Sequence, residues 1–290
     1  MARMKPYDEL EFVDDFVFCK VMRREEICKK VIELILGVKI KSIRTFDSQH
    51  AIELTANGKG VRLDVIVDDD EGTIYNIEMQ TSPENEYGKR SRYYQGMIDL
   101  ETMSRGCEYS ELRKCYVIFL CLTDPFRKYR AVYTFENRCV EDLSIRLKDE
   151  AYKVVVNPFG RTEGCSEELK SFLGYLRKKT ISDTFTQMLD DEVKNVRAHE
   201  EWRAEYMLMG IKLREAEEKA KKEGLAEGLA EGRAEGRAEG RAEGHAEGMT
   251  ESKTETAKRL AQMGLTIDQI AKAVDASKED VQEWITMPLR

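Results

Sequence analysis

Two β-rich runs around a short acidic loop constrain the fold of this chain more than any other feature. The runs cover residues 61–67 and 73–79, and the loop at 68–72 contains a glycine. Runs of β-branched and aromatic residues on either side of such a loop are typical of an antiparallel hairpin. The sequence therefore predicts a hairpin over residues 61–80.

The register of this hairpin decides where its acidic side chains lie. If Asp69 pairs with Thr73, Gly72 provides the left-handed residue of a three-residue loop. In that register Asp64 lies directly opposite Glu78, with the Cβ atoms about 4.5–5.5 Å apart on one face. A bulge at Gly72 would instead shift the pairing by one residue and could send the two acids to opposite faces.

Two carboxylates this close have a specific chemical consequence. They repel each other unless one is protonated or a cation lies between them. A hard divalent cation with oxygen ligands is the simplest resolution. Gln80 projects from the same face as Glu78, because strand side chains alternate. Asp64, Glu78 and Gln80 are therefore the candidate catalytic residues.

The order of motifs along the chain resembles that of a known nuclease family. Asp64 followed by Glu78-Met79-Gln80 is similar to the Asp…Glu-x-Lys hairpin of the PD-(D/E)XK nuclease superfamily, with Gln in the place of Lys. Further matches are DFVF at 15–18, RSRYYQ at 90–95, YTFENR at 133–138 and EEWR at 200–203. With these, residues 10–210 resemble the Rpn family of recombination-promoting nucleases and transposases.

The resemblance implies an α/β fold with an αβββαβ core and a mixed sheet. The chain itself agrees, because helical patterns at 10–38 precede the β-rich segments and another follows at 90–105. The run at 115–123 is continuously apolar, as in a strand covered on both faces. We expect a nuclease-like domain over 1–165 and a helical C-terminal third.

The resemblance also implies a metal site and a substrate. Asp64, Glu78 and the backbone carbonyl of Met79 would hold Mg²⁺, or Mn²⁺ in its place, and the substrate would be DNA. Gln80 can orient water or phosphate but cannot supply positive charge. Since the Rpn branch shares this Gln, its presence is no sign of lost activity.

Five further residues have two interpretations each. Arg90 and Tyr94 either bind DNA phosphate or form a surface arginine with ordinary aromatic packing. Asp15 is either a helix cap or an accessory acid, and Glu33 is either an accessory acid or a solvated partner of Lys29. His50 has no predicted carboxylate partner in register, which favours a structural role.

Composition narrows the class of protein. The net charge of −8 argues against a protein coated in basic surface, although it does not exclude a nuclease with local basic contacts. Seven cysteines without a C-x-x-C pair make structural zinc improbable and fit a reducing cytoplasm. No run approaches the roughly 18 apolar residues of a membrane span, so a cytoplasmic protein is expected.

The C-terminal third divides into three parts. A charged helical extension is predicted over 166–223, followed by G-x-A-E repeats over 224–250. Each repeat is close to one helical turn, but each glycine costs about 1 kcal/mol relative to alanine. A marginal helix or a mobile tether is expected there. Residues 251–290 predict three short helices, with Thr266 and Ser277 as caps, which favours a pairing module over a DNA reader.

Three functions remain open at this point. The first is a magnesium-dependent DNA endonuclease that promotes recombination. The second is a weakly active or inactive DNA-binding or assembly protein that keeps the nuclease fold, and the third is a transposase with strand transfer. A double-strand break needs two nicks, so a homodimer through the helical C-terminal region is also expected.

Overall fold

A six-stranded mixed sheet forms the centre of the first of two structural units, Met1–Gly210 and Ile211–Arg290. The structure is a computed structural model that describes residues 4–52, 61–81, 86–103 and 106–286. The sheet order is β1-β2-β3-β4-β6-β5. Its strands are β1 (Ile43–Ile52), β2 (Val61–Asp69), β3 (Ile74–Gln80), β4 (Cys115–Cys121), β5 (Val132–Phe135) and β6 (Ala151–Val156).

The directions of the strands follow from their connections. The pairs β1–β2, β2–β3 and β5–β6 are antiparallel, whereas β3–β4 and β4–β6 are parallel. The parallel step from β3 to β4 is made through helix α3, as parallel pairs need a long crossover. β4 lies inside the sheet, which explains its continuously apolar sequence. The αβββαβ core and the mixed sheet are thereby confirmed.

Helices cover the two faces of the sheet unequally. The helices are α1 (Asp15–Met22), α2 (Glu25–Leu36), α3 (Tyr87–Thr102), α4 (Glu167–Lys178), α5 (Thr184–Ala198), α6 (Glu200–Gln262), α7 (Ile267–Val274) and α8 (Lys278–Thr286). α1, α2, α4 and α5 contribute to the larger apolar cluster on one face. α3 covers part of the other face and contributes Met97 and Ile98 to the smaller cluster there.

The first unit is longer than the domain that the sequence predicts. It extends past residue 165, the predicted end of the nuclease-like domain, to Gly210. The physical reason is apolar packing: Phe172 of α4 and Leu189 of α5 are fully buried in the larger cluster. The predicted helical extension is therefore in part a layer of the sheet domain, which its high charge had obscured.

The second unit contains a small cluster of three helical segments. Ala257 near the end of α6 packs with Ile270 of α7 and Val281 of α8. Ser277 Oγ accepts a hydrogen bond from Asp280 N at 3.0 Å, as expected of a cap. The G-x-A-E repeats lie within the continuous helix α6 and are exposed along their length. Within the residues that the structure describes, no helix has the length and apolar character to cross a membrane.

Candidate active site

The turn of the β2–β3 hairpin has the predicted register. Asp69 N donates to Thr73 O at 3.1 Å, and Gly72 has a φ of +84°. The backbone pairs described for β2 and β3 run from Asp68–Ile74 to Val65–Ile77. This pairing keeps one register, so the bulge at Gly72 does not occur, and it ends one step before Asp64 and Glu78.

The side-chain alternation and the backbone pairing of the hairpin both change at Asp64 and Glu78. Leu63 packs in the cluster on the α3 side, whereas Val65 packs in the opposite cluster. Strict alternation would put both on one face, so the alternation of β2 is interrupted near Asp64, while its pairing with β1 keeps one register from Ser48–Val65 to His50–Leu63. The acidic side chains then replace backbone pairing between the strands. Asp64 N donates to Glu78 Oε1 at 3.2 Å, and Met79 N donates to Asp64 Oδ2 at 3.0 Å.

This geometry also orients the backbone carbonyl of Met79. The N–H and C=O groups of one residue in an antiparallel strand point to the same side. Because Met79 N–H reaches Asp64 in β2, its carbonyl also points toward β2. Two carboxylates and one carbonyl therefore lie at the same opening of the hairpin.

Burial makes the two carboxylates difficult to ionise together. Glu78 is only 2 % exposed. Desolvation raises the pKa of Asp64 to about 6. Desolvation, followed by the charge of Asp64, raises the pKa of Glu78 to about 8. A cation between them would remove both penalties, because an opposite charge favours the ionised form.

A cleft of about 230 Å³ opens over the two carboxylates. It is lined by Asp15, Arg62, Asp64, Glu78, Met79, Gln80, Thr81, Arg90 and Tyr94. The structure thus brings together all the predicted site residues except Glu33. Sequence reasoning missed Arg62, whose charge lowers the pKa of Asp64. Its positive charge close to Asp64 in the sequence was the available signal.

Arg90 lies inside this cleft. Its Nη1 donates to Gln80 Oε1 at 2.8 Å, and its Nη2 lies 3.8 Å from Glu78 Oε2. Its guanidinium carbon is 5.4 Å from the ring centres of both Tyr94 and Phe119. Nη2 also donates to Tyr94 OH at 2.9 Å. The positive charge that Gln80 lacks is therefore present beside Gln80, supplied from α3.

The two accessory candidates have different positions. Asp15 is the first residue of α1 and lines the cleft, while Asp14 takes the position of N-cap. Desolvation, with the charge of Asp14, raises the pKa of Asp15. Glu33 lies outside the cleft, where Oε1 accepts from Ile40 N at 2.9 Å. Glu33 therefore contacts the chain that follows α2 rather than the cleft.

His50 has two carboxylate partners, whereas the sequence predicted none. Nδ1 lies 2.5 Å from Asp47 Oδ2, and Nε2 lies 2.7 Å from Glu101 Oε1. The second carboxylate comes from α3, far along the chain, and the first from an earlier position in β1. His50 thus links β1 to α3, outside the cleft over Asp64 and Glu78.

The donor set of the cleft suits a hard cation. Among the described residues, no three His, Cys, Asp or Glu side chains form a metal-binding group. The candidate ligands are instead two carboxylates, Asp64 and Glu78, with the carbonyl of Met79. Oxygen donors of this kind, completed by water, are those that Mg²⁺ prefers. The residues present therefore fit a divalent ion that keeps several waters.

An αβββαβ core whose opened hairpin holds buried acids defines the PD-(D/E)XK class of proteins. The model of the PD-(D/E)XK nuclease family transposases matches residues 12–149, so this part of the chain is similar to that family. The match agrees with the resemblance drawn from the motifs. No curated protein and no solved structure matches the chain.

Proposed function

We propose that this protein is a metal-dependent DNA endonuclease that promotes recombination by hydrolysing phosphodiester bonds. The observation that carries the proposal is the buried pair Asp64–Glu78 at the opening of the hairpin. Two neighbouring carboxylates with raised pKa values are costly in a structural role, whereas a cation-binding role explains both. The family match supports nuclease chemistry at this place.

The candidate metal ligands are Asp64, Glu78 and the Met79 carbonyl, and the ion is Mg²⁺, with Mn²⁺ as a substitute. When bound, such an ion would lower the pKa of an attacking water and offset charge on the phosphate. The backbone hydrogen bonds of the two carboxylates hold them in place before any ion arrives. This preorganisation reduces the cost of binding.

Gln80 and Arg90 act together on the phosphate side of the cleft. Because Arg90 occupies Gln80 Oε1, the amide NH₂ of Gln80 is left as the donor group toward water or phosphate oxygen. The guanidinium of Arg90 places positive charge within the same cleft. Tyr94 fixes that guanidinium from the next turn of α3. Asp15, at the start of α1, is an accessory acid in this scheme.

The test is plasmid nicking with matched variants. Wild-type protein with Mg²⁺ or Mn²⁺ is expected to nick supercoiled DNA, and D64N and E78Q to lose about a hundredfold or more of that activity. Glu71→Gln is the control, since Glu71 is an exposed carboxylate in the loop of the same hairpin. Equal cleavage by D64N and wild type would contradict the proposal.

The second candidate is a DNA-binding or assembly protein without cleavage. The net charge of −8 and the neutral Gln80 favour it. Titration calorimetry with Mn²⁺ separates the two functions. The nuclease should bind the ion and release protons as it does so, because its ligands must ionise. A scaffold should show no such binding, and D64N should then match wild type.

A double-strand break requires two cleavage events, one on each strand. We infer that two copies of the chain act together, with the helical C-terminal region as the pairing element. Sedimentation of the full chain with and without DNA tests this. A monomer in both conditions would contradict the proposed pairing and would indicate an enzyme that cleaves one strand at a time.

A further inference from the structure

A second cavity, of about 370 Å³, is formed by residues of α3, β4 and β6 together with residues in and around β5. It is lined by Tyr87, Gly88, Ser91, Arg92, Phe119, Phe126, Phe135, Asn137, Lys153 and Val155. We call it the aromatic pocket. Its volume falls within the range of about 300–1,000 Å³ that is usual for small-ligand sites.

The four aromatic rings of the pocket form two pairs with different exposure. Tyr87 and Phe119 are buried and meet edge to face, with ring centres 5.5 Å apart. Phe126 and Phe135 have ring centres 5.1 Å apart but are 38 % and 43 % exposed. The exposed pair, Phe126 and Phe135, offers accessible ring surface to a planar ligand.

The polar groups of the pocket match the other parts of a nucleotide. Arg92 and Lys153 contribute positive charge, which attracts the phosphates on either side of a base. Asn137 contributes an amide, and its Nδ2 donates to Asp149 Oδ2 at 2.6 Å. The amide carbonyl is then the group that can accept a hydrogen bond from the edge of a base.

The aromatic pocket neighbours the cleft over the two carboxylates through the ring of Phe119. Phe119 lines the pocket, and its ring is also 5.4 Å from the guanidinium carbon of Arg90 and 6.2 Å from the Tyr94 ring. Arg90 and Arg92 lie on the same turn of α3. Arg90 and the aromatic pocket therefore contact the same ring, that of Phe119.

We propose that the aromatic pocket receives one unstacked base of the DNA strand that is cleaved. The proposal rests on the proposed function and names its substrate class. Extrusion of a base is least costly where the base is mismatched or already single-stranded. The preferred substrate is accordingly DNA with a single-stranded or mismatched segment next to the cleaved bond.

The experiment measures binding of a fluorescently labelled 12-nucleotide thymidine strand in EDTA. Stacking on aromatic rings accounts for a large part of single-strand affinity, so the F126A/F135A double variant should bind about tenfold more weakly. Phe126→Leu with Phe135→Leu keeps the apolar volume and should also lose affinity. F159A is the control, because Phe159 is 51 % exposed and lies outside the pocket.

A second arm locates the base. Single abasic sites are placed along the strand, which removes one base at a time and keeps the phosphates. Wild type should lose affinity at one position, and the double alanine variant should show no such position. Equal affinity of all variants, or an equal loss for F159A, would overturn the proposal.

Failure of this proposal differs from failure of the proposed function. If the pocket binds no base, magnesium-dependent nicking by wild type persists and does not change in F126A/F135A. If the protein is no nuclease, nicking is absent from every variant, while the binding experiment in EDTA still reports on the pocket. Near-ultraviolet circular dichroism confirms that each variant is folded.

Discussion

At the scale of single residues, the positive charge of the site comes from Arg90 of α3 and not from the motif position that most of the superfamily fills with lysine. Gln80 occupies the position of the motif lysine and is neutral. Arg90 donates to the oxygen of that same amide from α3. A planar guanidinium can bind the amide and face the carboxylate Glu78 at once, which a lysine cannot do in the same way.

Arg90→Ala is expected to lower kcat for DNA cleavage by about a hundredfold, the typical cost of removing a donor that stabilises developing charge. Arg90→Lys should recover part of the rate, because the charge returns but the forked geometry does not. The measurement is single-turnover cleavage at saturating protein. Lys89→Ala is the matched control, as Lys89 is an exposed cation on the same helix. Equal rates for R90A and wild type would contradict this role.

At the scale of elements, α3 connects most of what the chain brings together. Its first turns carry Arg90 and Tyr94 into the cleft, and Tyr87 and Arg92 into the aromatic pocket. Near its end, Glu101 holds His50 of β1. The hollow beside this contact also contains the ion pair of Arg113 Nη2 with Asp68 Oδ2, at 2.7 Å. Helix α3 thus contacts the edge strand β1 and contributes residues to both the cleft over the two carboxylates and the aromatic pocket.

The contact of His50 predicts a pH-dependent stability. Burial lowers the pKa of His50, but hydrogen bonds to Glu101 and Asp47 outweigh it and leave the pKa raised. A raised folded-state pKa gives stability that is fully present below the unfolded pKa of about 6.5. That stability is lost as the pH rises through the folded pKa.

His50→Gln should therefore destabilise the protein near pH 5.5 by about 1 kcal/mol or less, since the pair is partly exposed. The difference from wild type should shrink by pH 9. Urea unfolding at both pH values measures it, with His245→Gln as control because His245 lies in the exposed repeats. A difference that is the same at both pH values would show that protonation of His50 has no part in it.

At the scale of the whole molecule, the chain combines two units of very different construction. The first buries its apolar residues in two clusters, one on each face of the sheet. The second buries only a small cluster, and its repeats form helix without packing. Helix formation by the repeats thus depends on local propensity, which the glycines oppose.

Replacing the seven repeat glycines by alanine should strengthen this helix. They are Gly224, Gly228, Gly232, Gly236, Gly240, Gly244 and Gly248, and a Cβ at each meets nothing within 4 Å. Each substitution favours helix by about 1 kcal/mol. Circular dichroism at 222 nm should show more helix at raised temperature, with DNA nicking unchanged.

The opposite substitution provides the control for that measurement. Replacing the repeat alanines by glycine should lower the same signal at the same temperature. If neither set of variants changes the signal, local propensity does not govern the helix in the repeats.

The features that could be predicted depend on neighbours in the sequence. The end of α2 at Gly37, which has a φ of +67°, depends on a local property, since glycine tolerates the left-handed conformation. The hairpin register follows from Gly72 and strand alternation. That register predicts Asp64 near Glu78, and in the structure Asp64 N donates to Glu78 Oε1, so the proximity of these two residues was predictable.

Tertiary structure alone decided the rest, because burial and charge depend on residues distant in the chain. It interrupted the side-chain alternation of β2 near Asp64. It also placed Glu33 where it accepts a hydrogen bond from Ile40 N, and His50 beside the carboxylate of Glu101 in α3. It also packed α4 and α5 onto the sheet and assembled the aromatic pocket from α3, β4, β6 and the residues in and around β5. Local periodicity sets which face a side chain takes, but only the packing of distant elements sets what that face meets.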